Sequence, residues 1–439
     1  MLAPVTILPK AGIAKNLFDS YFELLGETES PAIAHRWSLI CCIGALIGRN
    51  AWLPFGPSKI FPNCYAMIIG ESGTRKSTAI KMAKKILAAA EYKTFAAQKT
   101  TKEKFLMDLE GEEFDLSSGQ VNGSSVMENL FGADGVVGSD PREVFIVADE
   151  FNDFMSCRDL EFQSLLGSLW DWDDENLPWE HRLKNSKSLA IYQPTISILG
   201  GNTQENFTSM FPPEAIGQGF LSRMLLIYCE PTGVRKPIPD ALNEQKKLDF
   251  IKRLMWIREN FTGPIQWTKP AFDAYTILYN TTKPLEDVRF NPYSTRRHVH
   301  LIKLCLICAA ANMKKEIGIQ EIILANTILS YVEHFMPKAL GEFGRAKNND
   351  VANTVLQILS KTVRPVEVKS MVKIVMSNLD RQDDLQKILM MLTDADKIQW
   401  VKPRGSTPGG YILKNKVVGE GNKLYVQYHL LKEFRDARS

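Results

Sequence analysis

Long apolar runs are missing from this sequence. The most apolar stretch, "WSLICCIGALIG" (residues 37–48), is bracketed by Arg36 and Arg49. It is far shorter than the roughly 20 residues a membrane-spanning helix needs, so it predicts a buried helix rather than a membrane segment, and no membrane partner is expected. The first residues, "MLAPVTILPKAGIAK", lack the charged start and long apolar core of a signal peptide. The seven cysteines are odd in number and sit in apolar surroundings. Cys305 and Cys308 have no second Cys or His pair at zinc spacing. Their absence argues against a metal site and for thiols packed as small buried hydrophobes in a reducing cytoplasm. No internal repeat and no long low-complexity tract is present. Charge of one sign is missing too: the net charge is only +3, so the whole chain says little about its partners.

What is there is an ordinary globular balance, 45% hydrophobic and 23% charged over 439 residues. That length predicts two to four structural units. "YAMIIGESGTRKSTAIKMAKKIL" (65–87) is an apolar run, a glycine turn and a helical pattern. It resembles the phosphate-binding pattern G-x-x-x-x-G-K-[ST], with Arg75 where the second glycine belongs. Backbone N–H groups of such a loop and the helix N-terminus attract phosphate. Gly70, Glu71, Ser72, Gly73, Thr74, Arg75, Lys76, Ser77 and Thr78 are therefore the candidate ATP-binding residues. Lys76 would reach the β- and γ-phosphates and Ser77 would ligate Mg²⁺. Arg75 must then point outward, or the loop must differ locally. The alternative is a structural turn that ends in Lys-Ser.

"EVFIVADEF" (143–151) supplies the context: an apolar strand ending in two acids. Asp149 would hold Mg²⁺ and Glu150 would polarise the attacking water; the alternative is a surface acidic pair. "PTISILGGNT" (194–203) is a third buried strand. Its Asn202 would lie between the two motif strands and orient water, unless Gly-Asn simply makes a turn. "GQGFLSRMLLIY" places Arg223 at the start of a fourth strand. An arginine there can complete a neighbour's phosphate site or be a structural ion pair.

Strands separated by helical segments predict a mainly parallel α/β sheet. Helices are expected as two segments over 12–50, then over 77–90, 243–260, 269–285 and 296–337. "MPKALGEFGRAKNND" reads as a linker. Beyond it, helices over 350–360, 365–377 and 380–393 and the hairpin "KIQWVKPRGSTPGGYILKN" describe a winged helix. From Asp350 onward there are fifteen Lys/Arg against ten Asp/Glu, a net +5, which leaves about −2 for residues 1–349. Lys402, Arg404, Lys414 and Lys416 on the hairpin form a candidate DNA-binding patch; a protein-binding wing is the alternative. Residues 91–141 give only a weak pattern. In "SLWDWDDENLPWEHRLKNSK", Trp170, Trp172 and Trp179 are expected in the core or at a subunit interface, because nearby acids argue against DNA contact.

The order "GESGTRKS", "FIVADE", "ISILGGNT", "GFLSRMLLIY" resembles AAA+ ATPases, and more specifically the primase–helicase-type ATPases of bacteria, phages and mobile elements. "SRMLLIY" is also similar to the Ser-Arg finger of minichromosome-maintenance helicases. The resemblance covers roughly residues 30–310 and does not include a primase module. It implies an oligomeric, DNA-translocating motor, a hexameric ring with ATP and Mg²⁺, acting on single-stranded or forked DNA with replication partners. Taken with the patterns read above, it predicts an N-terminal helical segment (1–55), a P-loop AAA+ core (56–240) and an all-helical lid (241–345), to which the C-terminal pattern adds a winged helix (346–439). In the lid, Arg296 and Arg297 would be sensor-like arginines. Two other readings share these motifs: a non-helicase ATPase switch, such as a helicase loader or a transposition or defence regulator, and a DNA-binding regulator with a degenerate ATP site.

Overall fold

The computed structural model describes residues 16–110, 142–156, 158–174, 177–181, 189–211, 219–341, 355–356, 358–359, 365–375, 382–394, 398–403, 409–413 and 424–436. Two compact units divide the chain, Met1–Gly341 with Leu424–Ser439, and Glu342–Lys423. The C-terminal stretch from Leu424 thus belongs to the first unit, whereas the sequence places everything from 346 onward in one C-terminal domain.

The first unit starts with α1 (Leu17–Leu25), capped by the Asn16 side chain, and α2 (Ala32–Ile47). Every residue of α2 from Ile33 onward is buried, as expected of a helix that is apolar nearly all round. No helix among the described residues is long and apolar enough to cross a membrane. A hairpin of Ala51–Phe55 and Ser58–Ile60 follows. Four strands then build a parallel sheet: β1 (Tyr65–Ile69), β2 (Glu143–Ala148), β3 (Thr195–Asn202) and β4 (Met224–Tyr228). Their order across the sheet is β2-β3-β1-β4. β1 and β3 are buried along their whole length, as central strands covered on both faces must be. Helix α3 (Lys76–Ala89) leaves β1 and turns Ala79, Ile80, Ala83, Ile86 and Leu87 inward, the 3.6-residue period of a packed helix. Past the weakly patterned start of 91–141, Phe95 adds a single parallel bridge to Phe145 of β2. No periodic pattern announces one bridge. The short helix α4 (Phe151–Phe154) and α5 (Leu160–Ser168) follow β2.

Beyond β4 come α6 (Glu244–Asn260), α7 (Lys269–Thr281), α8 (Asn291–Ala311) and α9 (Ile319–Leu340). This part is not all helix. Gln266–Trp267 pairs with Glu316–Ile317, and Gly263–Pro264 pairs in parallel with Ala51–Trp52. The single helical stretch expected over 296–337 breaks after Ala311, where Met313 takes a positive φ of 56°. Glu321 gathers the break, accepting from Asn312 Nδ2 and Lys314 Nζ. At the other end α9 runs through Pro337 to Leu340, into the stretch read as a linker.

The second unit contains α10 (Val368–Val375), α11 (Gln382–Asp394) and an antiparallel pair of Ile398–Val401 with Gly410–Leu413. Val355, Leu359, Met371, Val375, Leu385, Leu389, Leu392 and Ile398 form its apolar core. The last helix, α12 (Lys432–Asp436), is part of the first unit.

Candidate nucleotide site

Parallel strands deliver their loops to one edge of a sheet, and ligands of such folds collect at the carboxyl ends of the strands. Gly70 follows β1, Asp149 and Glu150 follow β2, and Asn202 ends β3. The sheet order puts β3 between β1 and β2, so Asn202 lies between the loop and the acids, as the sequence suggests.

Gly70 is required by contact. A Cβ there would lie 2.5 Å from the Cys229 carbonyl oxygen. Gly73 has φ of 85°, the left-handed region open to glycine. Arg75 occupies the same region, at φ 63°, immediately before α3. Here the glycine of the phosphate-loop pattern has its reason: the turn needs a left-handed residue. Arginine takes that conformation because its surroundings hold it. Ser30 Oγ donates to its carbonyl at 2.9 Å, and its exposed guanidinium donates to Glu29 Oε2 at 2.9 Å. The Glu29 carboxyl is held below its usual range by the Lys236 backbone N–H and then by Arg75. The side chain therefore points outward, as the motif demands.

Lys76 is buried and reaches back across the loop, donating to Gly70 O at 2.8 Å and Glu71 O at 2.9 Å. Burial lowers its pKa, against the pull of Glu150. Asp149 is paired with the exposed Lys81 at 2.6 Å. Partial desolvation raises the Glu150 carboxyl, and neighbouring Asp149 adds to this while Lys76 opposes it. Asn202 is fully buried. Its Nδ2 donates to Asn152 Oδ1 at 2.8 Å, and its Oδ1 accepts from Thr203 N at 3.0 Å. Asn152, which sequence reasoning missed, stands two residues after Glu150 on α4. Behind Asn202 the strand is glycine for a reason: a Cβ at Gly201 would lie 2.4 Å from the Asp149 carbonyl oxygen. Ser77 is half-buried, and Glu71, Ser72 and Thr78 are exposed around the loop.

Arg223 lies at the opposite edge. Met224 pairs with Tyr65, the first residue of β1, whereas the loop leaves from the last. Four residues of strand separate them, at least about 13 Å. Arg223 Nη1 donates to Gly219 O at 2.8 Å, and the guanidinium lies 3.7 Å from Asp171 and 5.9 Å from the Trp170 ring. Arg296 joins it there, donating to Ser222 Oγ at 2.9 Å. Arg297 is a structural group. It is buried and donates to Glu333 at 2.6 and 3.1 Å and to Asn326 at 2.9 Å. The sequence offered both as sensor-like arginines of the lid; an ion pair between α8 and α9 takes up Arg297, and Arg296 sits with Ser222.

Trp170 is buried against Tyr65, His300 and the Lys303 ammonium. The six described cysteines are free and buried, and burial pushes the thiols of Cys41, Cys64 and Cys305 up. Of the candidate DNA-binding residues, Lys402 is exposed beside the hairpin of the second unit. Arg404, Lys414 and Lys416 lie outside the described residues. No protein-family model matches the chain, and no curated protein matches it.

Proposed function

We propose that the chain is an ATP-hydrolysing P-loop motor of AAA+ type that acts on DNA as a homo-oligomer. The observation that carries the reading is the meeting of Lys76, Asp149, Glu150 and Asn202 at one edge of a parallel sheet. The loop fits a phosphate chain: its lysine rests on carbonyl oxygens that an anion can replace. Ser77 and Asp149 would hold Mg²⁺, with Lys81 releasing Asp149 to it. The ion would supply charge neutralisation on the phosphates.

In this reading Lys76 holds the β/γ-phosphate end by charge-assisted hydrogen bonds. Ionised Glu150 accepts a proton from water placed for attack, and Asn202, fixed by Asn152, orients that water. Arg223, too far to reach its own loop, completes the site of a neighbouring copy once it leaves Asp171. The second unit, read as a winged helix, contributes cationic DNA contacts through its hairpin, Lys402 among them.

The test is ATP turnover by the full chain with and without single-stranded DNA, together with unwinding of a forked duplex. DNA-stimulated turnover with strand separation supports the helicase reading. Turnover without separation moves the protein to the ATPase switches. DNA binding without turnover identifies a regulator with a degenerate site.

A further inference from the structure

Beside the loop the first unit forms a half-open pocket of about 650 Å³, a size suited to a small organic ligand. Its lining includes Ser30, His35, Tyr228, Tyr331, Lys432 and Glu433. It shares a wall with the loop: Ser30 holds the Arg75 carbonyl, and Tyr228 is the register partner of Ile69, the residue before Gly70. The two tyrosines offer aromatic surface to a flat ring. His35 offers polar recognition. It is 1% exposed, and neither ring nitrogen has a hydrogen-bond partner among the described residues. Burial lowers its pKa to about 4, so near neutrality the imidazole carries one donor and one acceptor.

Two lining residues come from the C-terminal segment, far from the loop in sequence. That segment is firmly seated. Arg36 Nε and Nη2 donate to the two Glu433 carboxylate oxygens at 2.8 and 3.0 Å, and both side chains are buried. The Arg36 guanidinium also lies over the Phe22 ring at 5.0 Å. Asn326 Nδ2 donates to Leu424 O at 2.8 Å, and Gln427 N donates to Thr327 Oγ1 at 2.9 Å. Asn326 is the residue that Arg297 clamps from its other side, which gives the buried Arg297–Glu333 pair a task.

We propose that residues 424–436 form a wall of the nucleoside end of the nucleotide site, so that the C-terminal segment governs nucleotide retention. The proposal rests on the ATP-site reading. It takes the ligand's phosphates at the loop and its base in the pocket, against His35 and the tyrosines.

Hydrogen exchange on the full chain tests it, with Mg·ADP and with Mg·tripolyphosphate as probes. Mg·ADP is expected to slow exchange in the loop and in 424–436, and tripolyphosphate in the loop alone. Protection of the loop by ADP with 424–436 unchanged would overturn the proposal while leaving the ATP site standing. No protection by ADP anywhere would overturn the ATP-site reading and the proposal with it. Lys432→Ala, which spares the Arg36–Glu433 pair, is expected to weaken ADP binding about fivefold through a lost polar contact and to leave tripolyphosphate binding unchanged. An unaltered ADP affinity would contradict the proposed wall.

Discussion

Lys76, Glu150 and Arg75 carry the residue-scale consequences. Lys76→Ala removes the side-chain cation seated on the loop carbonyls and is expected to abolish ATP binding, read by calorimetric titration. Glu150→Gln keeps the shape and loses the base, so it should bind ATP and hydrolyse it at least about a hundredfold more slowly. The wild-type rate should also carry a pH signature. The Glu150 carboxyl is raised, chiefly by desolvation, so it protonates at a higher pH than a free carboxyl of pKa about 4.3. As pH falls, kcat should decline earlier than that value, and the Gln variant should lack this limb. Arg75 at φ 63° is strained for a residue with a Cβ, by about 1–2 kcal/mol. Arg75→Gly relieves that strain and restores the usual motif. It should therefore bind ATP at least as well as wild type, whereas Arg75→Ala keeps the strain and loses the Glu29 contact. Thermal unfolding of the two variants distinguishes them.

Among the elements, β3 is under the tightest constraint. Gly201 lies against the backbone of Asp149, and a backbone oxygen has no rotamer to retreat into. Gly201→Ala should displace the acidic edge and lose both turnover and stability. Retained turnover would mean that Asp149 needs no fixed position. α8 brings Lys303 into the core, where its ammonium donates to Phe61 O at 2.8 Å and Asn63 Oδ1 at 2.6 Å. Burial lowers its pKa to about 8, below the unfolded value of about 10.4. Between these values the unfolded chain binds more protons, so this lysine's contribution to stability rises with pH. Urea unfolding at pH 8 and 9.5 should show wild type gaining on Lys303→Met.

The same elements show what the sequence makes legible. The four sheet strands read clearly because buried parallel strands are continuous apolar runs bounded by Gly, Pro or acids. The glycine turn before α3, the acid pair and Asn202 read clearly as strand ends because strand–turn–helix spacing is local. Asn152, the Glu29–Ser30 brace on Arg75 and the Arg36–Glu433 pair were not legible, since each depends on residues brought together only by folding. The break after Ala311 stayed hidden because Asn312–Gly318 carries no proline, and its only glycine is the last residue. At the other end α9 runs three residues past the expected 337, with Pro337 accommodated in its final turn.

For the whole molecule, the proposed reading would make activity a property of the assembly, because Arg223 lies at the far end of the strand from its own loop. Arg223→Ala should bind ATP normally and turn it over orders of magnitude more slowly. Mixed with Lys76→Ala, it should regain part of the activity, because some interfaces then pair an intact loop with an intact arginine. The second unit should add salt-dependent affinity for DNA, with Lys402→Ala lowering the slope of log K against log salt by about one unit if it contacts a phosphate.

The central claim is that the β1 loop with Arg75 is a working ATP site, and phosphate release from Mg·ATP by wild type and by Lys76→Ala tests it most directly. The account predicts steady release by wild type and none above background by the variant; equal rates in the two proteins, or no release by wild type at any DNA concentration, would contradict it.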